Sequence, residues 1–235
     1  MRFLRNIFAG SPVAARVAPF VILVALTSFQ GQFGAASAYW FYLAKTLAGL
    51  WLVLALRPLV TEMRWAFSWE AVFVGIGVFA LWVGISGDWT MQSSLWVKLG
   101  LAHPPAKFSA AWNPDEQFGA NSALAWLFIA TRILGSTFIV PPLEEIFYRS
   151  FLYRYIASQN FLSVPLNQFF LRPFLVTALV FGISHNEWLA GILCGAAYQW
   201  LVLRKNRLGD AMTAHAITNF LLGLWVVTRG AWQFW

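Results

Sequence analysis

The chain has 235 residues, 60% of them apolar and 11% charged, with 16 Lys and Arg against 9 Asp and Glu for a formal charge of +7. That is too oily for a soluble domain and long enough for seven or eight crossings, so the expectation is an all-α polytopic membrane bundle of seven or eight transmembrane helices, one domain over 1–235. The basic excess gathers at segment ends, at Arg2, Arg5, Arg16, Arg57, Arg64, Arg204, Lys205 and Arg207, which suits anionic lipid headgroups and not nucleic acid.

Residues 1–16 are basic and 17–29 apolar, the outline of a signal peptide with Ala36-Ser37-Ala38 as its cleavage site. The many later apolar segments favour a first membrane helix instead, its N-terminus in the cytoplasm. Residues 39–56 form a second span, broken only by Lys45, which snorkels or pairs. Arg57, Glu62 and Arg64 make a basic cytoplasmic loop, and 70–86 a third span with Gly75, Gly77 and Gly84 set for close helix approach.

The polar insertion 87–121 carries Asp88, Lys98, His103, Lys107, Asp115 and Glu116 and reads as a solvated loop with a short interfacial helix outside the cytoplasm. His103, between Ala102 and two prolines, has no nearby ligand partner and stays out of the site. Residues 122–140 are a fourth span with Arg132 as a counter-charge to a glutamate or to Asp88.

Next comes the stretch Pro141-Pro142-Leu143-Glu144-Glu145-Ile146-Phe147-Tyr148-Arg149, two carboxylates and a guanidinium among apolar neighbours. Ionisable groups at membrane depth are costly and by default functional. Glu145 and Arg149 are an i,i+4 pair with the acid first. Glu144 points about 100° round the helix from Glu145 and must find water, a histidine or a metal. The prolines fit at or just before a helix start, where the carboxylates would meet the positive end of the dipole.

After the motif helix 143–157 and an interfacial connection at 160–172, segment 174–188 carries Phe181 and His185 four apart, so that the ring can wedge the imidazole. Segment 189–203, with Cys194 in its interior and Gly191 and Gly195 for tight packing, leads to 211–228, where His215 and Asn219 share a face and Asp210 is a plausible N-cap. If 122–140 and 143–157 cross separately, the 204–207 basic cluster falls outside, against the positive-inside rule. If 122–157 is one crossing broken at the prolines, the cluster returns to the cytoplasm and seven spans remain.

Glu144-Glu145 with Arg149, then Phe181 four before His185, then His215 four before Asn219, in that order, resembles the CAAX protease and bacteriocin-processing family of intramembrane proteases, also called type II CAAX prenyl endopeptidase-like. The three motifs cover 144–219, about a third of the chain, within a motif-bearing core at 122–228. The resemblance implies that Glu144 and His185 activate the attacking water, that His215 and Asn219 stabilise the oxyanion, and that Glu145, Arg149 and Phe181 support them. It also implies a peptide or membrane-protein substrate. A bacterial chain would sit in the inner membrane.

Hydrolysis of a peptide bond in a membrane needs a water, a base and oxyanion donors, which this set can supply. A zinc version is open, because Glu144, His185 and His215 form a His2Glu set with a place for water, although the two-His helical signature is absent. Ser184 adjoins His185 but is expected on another helical face, against a serine nucleophile. Two rivals are a non-catalytic binding or immunity protein of the same fold and a transporter; no internal repeat supports the latter.

Overall fold

The structure is a computed structural model that describes residues 8–101 and 112–235. Arg2, Arg5, His103 and Lys107, and the side chain of Asp88, fall outside the described set. Among the described residues the regular structure is helical, apart from one isolated antiparallel bridge between Met91 and Glu187.

The helices are α1 Pro12–Ser28, α2 Ser37–Leu56, α3 Trp69–Ile85, α4 Gln92–Lys98, α5 Pro114–Phe118, α6 Ala123–Ala157, α7 Leu171–Ile183, α8 Trp188–Lys205 and α9 Gly209–Arg229. Their starts follow local chemistry. Ser11, Ser68 and Ser122 each accept a hydrogen bond from the backbone N–H three residues on, at Ala14, Ala71 and Ala125, and Pro12 begins α1 where a missing N–H costs nothing. Asn206 ends α8 in the left-handed conformation. Asp210, expected as a cap, instead sits fully buried inside the first turn of α9, where the Arg207 Nε donates to it at 2.6 Å.

Three helices are long and apolar enough to cross a membrane: α2, α6 and α9. The apolar helices α1, α3 and α7 are shorter, at 17, 17 and 13 residues. Thirteen residues rise about 20 Å, short of the ~30 Å hydrocarbon core. The expected seven or eight spans therefore exceed the helices that meet the length and composition of a full crossing.

The acidic stretch lies in the middle of a helix, and this corrects two expectations. Residues 122–140 and 143–157 are one continuous 35-residue helix, α6, not two segments and not one broken at the prolines. Its α-helical turns alternate with π-helical ones at Gly135–Ile139 and Ile146–Leu152. The prolines thus do not open a helix, and the carboxylates do not meet a free N-terminus. The wider π turn supplies the reason the chain passes through Pro141-Pro142: the Val140 N–H reaches back five residues to the Gly135 carbonyl. The prolines sit where the register is already shifted.

The described residues form two compact units. One contains 8–64, 112–147 and 219–235, the other 65–101 and 148–218. In the first, Arg132 lies over the rings of Tyr42, Trp112 and Trp235 at 4.8, 4.5 and 5.4 Å, an aromatic setting for a cation expected to face a carboxylate. Lys45 pairs with the Thr27 hydroxyl at 3.2 Å and lies over the Tyr42 ring. Arg16, buried, binds Glu62 at 2.8 Å.

In the second unit α3 and α9 approach closely at Gly75, where an added Cβ would stand 2.7 Å from the Ala214 carbonyl oxygen. The Thr218 hydroxyl donates to the Gly75 carbonyl at 2.9 Å. Gly77 and Gly84, expected to serve the same purpose, have nothing within 4 Å. Helices α7 and α8 form a tight hairpin in which a Cβ on Gly191 would lie 2.8 Å from the Gly182 Cα. Glu70 at the start of α3 binds Arg204 and Lys205 at the end of α8.

Candidate active site

Within the second unit the sequence-expected groups Arg149, Phe181, His185 and His215 gather around a set of aromatic rings. Phe181, fully buried, is the hub. Its ring lies 4.4 Å from the His185 ring at a 30° tilt, 6.1 Å from the His215 ring, and 4.5 Å beneath the Arg149 guanidinium. The wedge expected from the four-residue spacing is there.

Helix α7 stops at Ile183, so His185 lies on the turn beyond it and not on a continuing helix face. That ending decides the imidazole chemistry. With no further turn above, the Phe181 carbonyl takes a bond from the His185 Nδ1 at 2.6 Å. A carbonyl only accepts, so Nδ1 carries the proton, and in the neutral form of the ring the lone pair is on Nε2.

Ser184 also departs from expectation. It caps α7, and its hydroxyl donates to the same Phe181 carbonyl at 2.7 Å and lies 3.2 Å from the His185 Nδ1, because the turn has left α-helical geometry. The Tyr148 hydroxyl meets the Ser184 hydroxyl at 2.8 Å. With its proton committed to a carbonyl, Ser184 is a bracket for the imidazole.

His215, 4% exposed, stacks on Tyr198 with centroids 5.1 Å apart and planes 28° from parallel. The Tyr198 hydroxyl donates to Thr218 at 2.8 Å, which locks the ring on which His215 rests. Arg149, wholly buried, donates from Nη2 to the Gly195 carbonyl at 3.2 Å and spreads its plane over Phe181 and Tyr198. Its placement follows from the π-helical run Ile146–Leu152, which the i,i+4 spacing of a regular α-helix did not anticipate.

Glu144, Glu145 and Asn219 belong to the first unit. Glu145 is fully buried and Glu144 partly so. Asn219 has an unusual anchor: its Nδ2 donates to the Ser136 carbonyl at 2.8 Å. In an α-helix that carbonyl would receive the Val140 N–H, but Val140 bonds to Gly135 instead, and the next residue along, Pro141, has no N–H. The proline and the π turn together leave an acceptor, and Asn219 takes it. One amide N–H is committed there, which fixes the amide's orientation and leaves its second N–H to act elsewhere.

Sequence reading assigned no role at the site to Tyr148, Tyr198 or Glu187. The Glu187 carboxylate, 5% exposed, accepts from the Thr90 hydroxyl at 2.7 Å. Burial raises its pKa above the ordinary carboxylate range, offset in part by bonds from Thr90 and Ser86. Tyr148 was legible as an aromatic inside the acidic stretch; Tyr198 and Glu187 carried no spacing signal. Among the described residues no three His, Cys, Asp or Glu side chains are placed together to hold a metal ion.

One protein-family model, Rce1-like, described as type II CAAX prenyl endopeptidase Rce1-like, matches residues 124–221. That interval contains all three motifs. No curated protein and no solved structure gives a match.

Proposed function

We propose, from the match of residues 124–221 to the type II CAAX prenyl endopeptidase Rce1-like model, that this protein is an integral-membrane endopeptidase that hydrolyses a peptide bond of a membrane-associated peptide or protein. Glu144 and His185 act as the base. They take a proton from a water molecule whose oxygen adds to the scissile carbonyl carbon. The tetrahedral oxyanion receives hydrogen bonds from His215 and from the free N–H of the Asn219 amide. Collapse breaks the C–N bond, the proton passes to the leaving nitrogen, and one water is consumed for one acid and one amine formed.

The observation that carries this reading is the Nδ1–H bond from His185 to the Phe181 carbonyl, which supports the tautomer with its lone pair on Nε2. Asn219's tie to Ser136 supports an oriented donor. Glu145, Arg149 and Phe181 serve as scaffolding. The reading uses direct Glu/His activation in place of zinc.

The test is cleavage of a library of membrane-spanning peptides by protein purified into nanodiscs, with metal content measured on the same samples. Cleavage at a constant rate in metal-depleted samples is expected. Cleavage that vanishes on chelation and returns with zinc would overturn the metal-free mechanism, and absence of cleavage across soluble, prenylated and membrane-spanning substrates would overturn the protease assignment.

A further inference from the structure

We propose that Glu187 is a positioning residue for His185, held by a brace that runs from Trp82 at the end of α3 to Met91. The inference rests on the reading of His185 as the base.

His185 lies on the four-residue turn between α7 and α8. One neighbouring segment grips the turn at several points. The Trp82 ring meets the His185 ring edge-on at 5.7 Å. Thr90, wholly buried, donates its hydroxyl to the Glu187 carboxylate at 2.7 Å, and Ser86 bonds to the same carboxylate. Met91 pairs with Glu187 through the only β-bridge among the described residues.

Thr90 is itself held. Its hydroxyl oxygen lies 3.0 Å from the Gly87 N–H and 2.8 Å from the Gly87 carbonyl, closing the 3-10 turn Asp88–Thr90. The Glu187 carbonyl in turn accepts the Gly191 N–H at 2.8 Å, opening α8. A residue whose carboxylate has no part in the proposed proton transfers is thus buried two positions from the base, its side chain bonded to the turn Asp88–Thr90 and its backbone carbonyl to the start of α8. Burying it is costly unless its bonds are made, so it is a poor filler and a good locating pin. The polar insertion after α3, which reads from sequence as a solvated loop, begins with this brace.

The experiment uses the full chain in nanodiscs and five variants: Thr90→Val, Thr90→Ser, Glu187→Leu, Glu187→Gln and the double Thr90→Val/Glu187→Leu. Thr90→Val keeps shape and removes the hydroxyl; Thr90→Ser and Glu187→Gln keep a donor and an acceptor. The expectation is a kcat loss of about 10- to 100-fold for Thr90→Val and Glu187→Leu at unchanged KM, by the scale of other groups that orient a catalytic ligand. The double variant should be no worse than either single one, and the two conservative variants should recover most of the rate.

A second readout does not need turnover. With 15N-histidine labelling and His185 assigned from the His185→Gln spectrum, the wild type should show the Nδ1–H tautomer and Thr90→Val a shift toward a mixture. Unchanged kcat and unchanged His185 nitrogen shifts in Thr90→Val would overturn the proposal, as would independent, additive losses in the double variant. If Glu187→Leu does not fold, Thr90→Val against Thr90→Ser decides alone. If the wild type cleaves nothing, the protease reading fails while the nitrogen shifts still decide the brace.

Discussion

Asn219 and Arg149 show how single side chains are placed by the carbonyls and rings around them. Asn219 is aimed by a carbonyl that the π turn and Pro141 together leave without a backbone donor. Asn219→Ala should lower kcat by about 10²- to 10³-fold with little change in KM, the scale for losing one oxyanion donor; an equal fall in substrate affinity would point to binding instead. Arg149 stacks its guanidinium 4.5 Å from the Phe181 ring, which an ammonium cannot imitate. Arg149→Lys should therefore cost about 1–2 kcal/mol, measured as loss of thermal stability in nanodiscs. The Phe181 wedge was legible from the four-residue spacing, and the two rings meet even though α7 ends at Ile183 and His185 lies on the turn beyond it. Ser184 was not, because a sequence pattern does not show that α7 ends one residue earlier, and one lost turn moves a side chain to another face.

At the scale of elements, α6 departs furthest from its sequence pattern. Two adjacent prolines read as a break, yet the helix runs through them, because π turns on both sides change which donors are needed. Pro141→Ala tests this. The restored N–H can reach the Ser136 carbonyl, so Asn219 should lose its anchor, and activity should fall by about tenfold without loss of stability, since a proline is removed from a helix interior. Activity unchanged by Pro141→Ala would mean that the carbonyl does not orient Asn219. The α7–α8 hairpin was read better: Gly191 and Gly195 were expected to permit close packing, and Gly191 meets the Gly182 backbone directly. Gly191→Ala should destabilise by about 1–3 kcal/mol, read from the thermal midpoint, because the atom in the way is backbone and cannot rotate aside.

At the scale of the whole molecule, composition announced helices and a membrane before any motif was considered, and α2, α6 and α9 carry that reading. Composition did not give the number of crossings. Apolar runs such as Leu171–Ile183 look like spans in a hydropathy profile, but helix length depends on where turns and caps fall, and these are local details. The three motifs lie within 124–221, the interval that the Rce1-like model matches, and the N-terminal helices lie outside it. What the residues upstream of 124 contribute to the placement of His185 is tested by the Thr90 variants, since the brace touches the turn bearing His185.

The central claim is that Glu144 drives hydrolysis. The direct measurement is the cleavage rate of a peptide identified from the membrane library, for wild type, Glu144→Gln and Glu144→Ala in the same nanodiscs, with each variant's folding checked by its thermal midpoint. The account predicts that both variants unfold near the wild-type temperature and cleave at least about 10³-fold more slowly, a general base's contribution together with the ordering of its water. Cleavage at the wild-type rate by folded Glu144→Ala would contradict it.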